Sequence, residues 1–170
     1  MANKTYFFQP EKKVLKQGFF LTDENQNVVY EAKMLKQPLF GPMEFDFINH
    51  ITGQTTSHKV GKTVTTETSG MLGFFSTKSH FKYDGKKIWD HLHEEGIRID
   101  SALSGNKIGM TYRVSYRGEE IAVITSAAAN GGKAFVTSSF HYNITTAEEN
   151  LDQAFLVAFA IARTDQAFYD

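Results

Sequence analysis

The most constraining feature of this sequence is an unbroken apolar run at residues 154–162, near the C-terminal end. Thr146, followed three residues later by Glu149, forms a capping box, which predicts a helix that begins near Ala147 and ends near residue 168. As a helix the run spans only about 14 Å, which is too short to cross a bilayer. It is apolar around its whole circumference, so it leaves no face for water and has to be surrounded by protein.

The predicted helix carries large and small side chains in a regular arrangement. Ala154, Ala158 and Ala162 recur every four residues and form a stripe that strand backbone could approach closely. The large apolar side chains cover the rest of the helix surface. We therefore predict that one buried set is formed by Ala154, Phe155, Leu156, Val157, Ala158, Phe159, Ile161 and Ala162.

The chain before this helix, from about residue 5 to 144, has the pattern of an antiparallel β structure. Short runs rich in β-branched and aromatic residues alternate with turn signals. Alternation of apolar and polar residues at 43–47 and 112–116 indicates strands with one buried face. Hairpin turns are predicted at 23–27, Thr52-Gly53, Asp84-Gly85 and Arg117-Gly118.

Together these signals predict one mainly β domain over residues 1–170. A sheet curled around the helix would hide its own edges and the apolar helix at the same time. The predicted fold is therefore a closed antiparallel barrel around a central apolar C-terminal helix.

Composition argues against several classes of protein. The net charge of −1 provides no global field to attract nucleic acid. The chain has no cysteine, so it has neither disulfides nor a thiolate metal site. The first residues lack a signal-peptide pattern, and no segment is long enough to insert across a membrane. We expect a cytoplasmic protein that is at most peripheral at a membrane and binds no nucleic acid.

The order of these elements resembles the tubby C-terminal-like superfamily, which includes LURP-one-related proteins, phospholipid scramblases and small bacterial tubby-like proteins. The resemblance lies in residues 20–33, in the hairpins after 52, 84 and 117, and in the helix from Leu151 to Tyr169. It implies a barrel threaded by the helix and a non-enzymatic binding or scaffold module without a cofactor. Tubby proteins recognise phosphoinositide headgroups, so the implied partner is an anionic phospholipid headgroup, with a protein partner as the alternative.

The residues predicted to bind an anion are lysines, whose flexible ammonium groups suit phosphate. Lysines on hairpins also serve simply to keep strand edges soluble. The candidates are Lys59, Lys62, Lys82, Lys86 and Lys87.

Two alternative functions start from other features. His91 and His93 would share one side of a strand and could hold a metal ion, which would make the protein a metal-dependent enzyme. A third ligand is needed, so surface or half-buried histidines are the plainer interpretation. A barrel that binds a small apolar ligand is the other alternative, and it requires the helix to lie outside the barrel.

Overall fold

The described residues form strands, two α-helices and a 3₁₀ turn. A computed structural model describes residues 2–10, 18–36, 39, 41–69, 74–103, 110–126 and 141–169, with the backbone alone at 36, 62–69, 74–80, 102–103 and 164–169. The helices are α1 (Ile88–Glu94) and α2 (Leu151–Tyr169), and a 3₁₀ turn, Glu148–Asn150, precedes α2. The strands are β1 (Lys4–Pro10), β2 (Phe19–Thr22), β3 (Val28–Lys36), β4 (Met43–Asn49), β5 (Gln54–Ser69), β6 (Phe74–Tyr83), β7 (Lys86–Lys87), β8 (Ile97–Leu103), β9 (Met110–Tyr116), β10 (Glu119–Ser126) and β11 (Tyr142–Thr146).

All of these strands belong to one antiparallel sheet in the order β7-β6-β5-β4-β3-β2-β1-β11-β10-β9-β8. Strands that follow one another in the chain are neighbours, apart from β7 and β8, which lie at the two edges. In addition β1 pairs with β11, where Tyr6 lies opposite Ile144. This pairing joins the two ends of the chain in the middle of the sheet. The prediction of a mainly β protein with one C-terminal helix is confirmed.

The four predicted hairpin turns are present. Asp84 and Gly85 have φ angles of 51° and 81°, and Arg117 and Gly118 have 51° and 88°. Two successive positive φ angles are those of a type I′ turn, whose twist matches that of the flanking strands. The loop between β2 and β3 is held by Asp23, whose Oδ1 accepts hydrogen bonds from the backbone amides two and four residues later.

The core is a set of aromatic rings that converge on α2 from several strands. Phe155 contacts Phe8 of β1, Tyr30 of β3 and Phe47 of β4, with ring centroids 4.3–5.9 Å apart. Phe159 contacts rings of β2, β4 and β6. Strands β10 and β11 also pack against α2. The sheet therefore packs against the helix from several sides, and the apolar circumference of the helix is explained.

Burial along α2 is nearly complete between Ala154 and Ala162, whereas Asp152 in its first turn is exposed. The three predicted alanines, Phe155, Val157 and Phe159 are fully buried, and Ile161 is almost so. Leu156 differs, because it is only partly buried and faces a pocket. Within the apolar run 154–162, Leu156 is thus the one position that is not fully covered.

The structure does not support the predicted closed barrel, because β7 and β8 remain the two edges of the sheet. β7 has only two residues, so it offers few backbone groups for pairing with β8. Helix α1 follows β7 at once and contacts β6, β7, β8 and α2, with Ile88 and Leu92 in the core. Side-chain packing by α1 takes the place of the hydrogen bonds that would close a barrel.

The predicted capping box is also wrong. Thr146 is the last residue of β11, and its hydroxyl donates a 2.7 Å hydrogen bond to the carbonyl oxygen of Ile121 on β10. Ala147 occupies the cap position of the 3₁₀ turn without any side-chain hydrogen bond. The regular α-helix therefore begins at Leu151, later than predicted.

Candidate functional site

The predicted lysines fall mainly on the β6–β7 hairpin, around the Asp84-Gly85 turn. In the register of this hairpin Lys82 lies directly opposite Lys87, and Tyr83 lies opposite Lys86. Tyr83 and Phe81 are buried, so the alternation of the strand places Lys82 on the outer face. Lys82 and Lys87 therefore form a cross-strand pair of like charges.

A shallow cleft of about 590 Å³ lies beside this pair. Two of the predicted lysines, Lys59 and Lys82, line it. The rest of its surface is formed by small residues and one carboxylate, namely Gly41, Pro42, Gly61, Asp84 and Gly85. Because glycines carry no side chain, a ligand could approach the backbone closely between the two lysines.

Acidic residues neutralise part of this surface. Lys86 forms an ion pair with Glu94 of α1, and both side chains are largely exposed. The hydrogen bond from Lys86 and its positive charge lower the pKa of Glu94 below its usual value. Glu44 lies opposite Lys59 in the sheet register. Among the four candidate lysines whose side chains are described, Lys82 and Lys87 have neither an ion pair with a described residue nor a carboxylate opposite them in the register.

Lys62 differs from the other four lysines. Its backbone pairs with Phe81 of β6, but its side chain lies outside the part of the structure described in atomic detail. Its predicted role as an anion ligand stays a prediction.

The carboxylate of Asp84 fixes the base of the hairpin. Its Oδ1 accepts a 2.8 Å hydrogen bond from the backbone amide of Lys59, and its Oδ2 lies 2.7 Å from Nδ1 of His58. Both partners are on β5, so the turn is tied to the neighbouring strand. The position of Lys59 relative to the hairpin is set by this link.

The histidines predicted as metal ligands do not share one side of a strand. His91 and His93 lie on α1, where residues two apart point in nearly opposite directions. The His91 ring packs against Tyr83, with centroids 4.9 Å apart, while His93 is exposed. No group of three His, Asp or Glu side chains suited to a metal ion occurs in the described residues.

Sequence reasoning missed a second pocket, of about 200 Å³, at the end of the sheet where α2 begins. Its polar groups come from β3, β5, β6 and the first turn of α2, and several of its lining residues are aromatic. Burial, reinforced by the nearby Asp152, raises the pKa of Tyr30 well above 10.0, and burial likewise raises that of Tyr83. Both phenols therefore stay protonated. The lining residues are Tyr30, Phe47, Gln54, Thr56, His58, Tyr83, Asp152 and Leu156.

Trp89 is the single tryptophan of the chain and lies two residues after Lys87. It occupies the first turn of α1, next to the hairpin, and 44% of its surface is exposed. Large aromatic side chains are usually covered in a folded domain. Its exposure beside the lysines is therefore a feature of the candidate surface.

Neither described helix combines the length and the hydrophobicity that crossing a bilayer requires. Comparison with known proteins gave no match: no family model, no curated protein and no solved structure matches this chain.

Proposed function

We propose that this protein is a non-enzymatic binding module whose β6–β7 hairpin contacts the anionic headgroups of a membrane surface. The contact surface, named here the hairpin surface, consists of Lys59, Lys82, Lys87 and Trp89. Phosphate oxygens would lie in the cleft between Lys59 and Lys82. The resemblance to the tubby C-terminal-like superfamily, drawn from the sequence, implies the same class of ligand.

The observation that carries the proposal is the cross-strand pair of Lys82 and Lys87. Like charges directly opposite each other destabilise a sheet, by roughly 0.2–1 kcal/mol. The phosphates of an anionic surface would reduce this repulsion, since they can accept hydrogen bonds from each of the two ammonium groups. The pair therefore lowers the stability of the folded protein, and binding of anions would offset this loss.

The position of Trp89 favours a membrane surface over a soluble anion. Indole rings settle at the boundary between headgroups and acyl chains, where the ring is apolar and its N–H can donate a hydrogen bond. Each lysine beside such a ring adds roughly 1 kcal/mol to the free energy of binding to an anionic membrane surface. An exposed tryptophan next to two lysines combines both contributions.

The test uses Trp89 as its own reporter, because the chain has no other tryptophan. The protein is mixed with neutral vesicles, with phosphatidylserine vesicles and with phosphoinositide vesicles at low and high salt. We expect Trp89 emission to shift to shorter wavelength with the anionic vesicles only, and the shift to weaken with salt. Glycerol 3-phosphate provides a soluble arm, and binding to it as tight as to vesicles would assign the site to a soluble anion.

Two variants decide which residues are responsible. The double variant Lys82→Gln, Lys87→Gln should weaken vesicle binding about 30-fold, which corresponds to about 1 kcal/mol for each lysine. Lys33→Gln, on β3, is the matched control, since Lys33 is exposed and lies outside the hairpin surface. Equal loss in both variants, or no binding to any vesicle, would refute the lipid proposal and direct attention to protein partners.

A further inference from the structure

The pocket at the start of α2, named here the mouth pocket, contains a carboxylate between two neutral polar side chains. The Asn49 amide nitrogen donates a 3.2 Å hydrogen bond to Oδ1 of Asp152. Tyr30 also lines the pocket, and burial, followed by its interaction with Asp152, raises the pKa of the Tyr30 hydroxyl. An ionised carboxylate has about four acceptor sites, so Asp152 retains acceptor capacity towards the pocket.

The direction of the Asn49 amide is fixed by its other contacts. Asn49 is buried, and its side-chain oxygen accepts hydrogen bonds from the backbone amides of Ile51 and Thr52. Its NH₂ group must therefore point towards Asp152. Tyr30 is fixed in the same way, because its ring stacks on Phe155 with centroids 4.3 Å apart. The carboxylate is thus positioned before any ligand binds.

Asp152 has no positively charged partner among the described side chains. None of their ion pairs includes it, and no Lys or Arg lines the mouth pocket. The ionisable base in the lining is His58, and its Nδ1 lies 2.7 Å from Oδ2 of Asp84, which is a carboxylate. The mouth pocket therefore has an excess of negative charge at Asp152.

The walls around this carboxylate are aromatic faces. Tyr30, Phe47 and Tyr83 line the pocket, and the His58 ring stacks on Tyr83 with centroids 4.6 Å apart. Ammonium groups are attracted to the faces of aromatic rings as well as to carboxylates. An acidic group surrounded by rings is the combination that recognises an organic cation.

The geometry points to the mouth pocket as a binding site for a small protonated amine, with Asp152 as its ionic partner. A volume of about 200 Å³ is small, so the ligand is a short alkyl amine or the end of a lysine side chain. Leu156 would contact the alkyl part. The site shares no lysine with the hairpin surface, so the inference is independent of the proposed function.

The experiment is an NMR titration of the ¹⁵N-labelled protein with butylammonium and, as a neutral match of the same shape, butanol. We expect butylammonium to shift the amide signals of residues around the mouth pocket, with a dissociation constant of about 1 mM, and butanol to leave them unchanged. Nα-acetyl-lysine N-methylamide gives a second arm. Tighter binding of this compound than of butylammonium identifies a lysine side chain as the natural ligand, and weaker binding identifies a free amine.

Asp152→Asn should weaken butylammonium binding at least tenfold, roughly the contribution of a hydrogen bond to a charged group. Asp46→Asn is the matched control, because Asp46 accepts a hydrogen bond from Ser57 away from the mouth pocket. Should Asp152→Asn not fold, Gln54→Arg decides, since Gln54 is exposed and its replacement places a competing cation in the pocket. Equal binding of butanol, absence of binding, or unchanged affinity in Asp152→Asn or in Gln54→Arg would overturn the assignment.

Discussion

Replacing Phe159 by alanine is the most direct test of how the sheet and α2 depend on each other. The Phe159 side chain is fully buried. Its ring centroid lies 5.0 Å from that of Phe47, 5.5 Å from Phe45, 5.7 Å from Phe19 and 5.9 Å from Phe81. These partners belong to three strands, so the substitution removes contacts between the helix and a wide part of the sheet.

The expected destabilisation is about 4–5 kcal/mol, the upper part of the range for buried Phe→Ala. Two features place it there. Edge-to-face ring pairs add roughly 0.5–1.5 kcal/mol each beyond burial, and Phe159 takes part in several. The neighbouring rings are also carried by hydrogen-bonded strands, which cannot move in to fill the cavity.

The assay is urea denaturation followed by far-ultraviolet circular dichroism. Phe7→Ala is the control, because it makes the same chemical change on β1 at a side chain that is 39% exposed. It should lower the free energy of unfolding by less than about 1 kcal/mol. Phe159→Leu, expected to cost about 1–2 kcal/mol, serves if the alanine variant does not fold. Similar midpoints for Phe159→Ala and Phe7→Ala would refute the central packing role of this ring.

Two further predictions concern single polar groups. Thr146→Val should destabilise the protein by about 1–2 kcal/mol, because the buried hydrogen bond to the Ile121 carbonyl is lost, and Thr146→Ser should recover part of this in the same urea assay. The second prediction is that Tyr83 makes the protein less stable at high pH. Burial, followed by the Asp84 and Glu95 carboxylates, raises the pKa of the Tyr83 hydroxyl in the folded protein above 10.0. As pH rises, the Tyr83 phenol therefore ionises in the unfolded chain before it does so in the folded protein. The contribution of Tyr83 to stability is fully present below pH 10.0 and is lost as pH rises above that value. In Tyr83→Phe the urea midpoint should fall less steeply above that pH, and an unchanged slope would contradict this account.

The parts of the fold that the sequence predicts are those set by neighbouring residues. The Asp84-Gly85 and Arg117-Gly118 turns follow from the positive φ angles that these residue pairs tolerate. The alternation in β4 follows from its pleat, since Phe45 and Phe47 are buried while the acidic residues between and before them are not. Both features involve contacts within a few residues.

Helix α1 was missed although the sequence carries a signal for it. Ile88 and Leu92, four residues apart, are the buried pair of this helix, and Gly96 follows its end with a φ of 90°. The preceding hairpin and the alternating His91 and His93 favoured a strand instead. This misreading produced the predicted metal site, whereas the closed barrel was inferred from the need to surround the apolar helix.

The capping box failed for a different reason. Thr146 and Glu149 have the right spacing for a cap, but the Thr146 hydroxyl finds a buried acceptor on β10, 25 residues away. A local pattern cannot show such a competing partner. The mouth pocket is hidden from the sequence in the same way, since Asp152 reaches its donor Asn49 across 103 residues.

Asp84 is a turn residue that the sequence predicts correctly, but its contacts with the two candidate sites are not visible in the sequence. The sequence predicts it as the first turn residue of a hairpin, and its φ of 51° agrees. Its two carboxylate oxygens, however, bind the Lys59 amide at the edge of the cleft and the His58 ring in the wall of the mouth pocket. Because one side chain orients both, the hairpin surface and the mouth pocket share a structural support while having opposite charge. An anion at the first and an amine at the second would therefore bind on either side of Asp84.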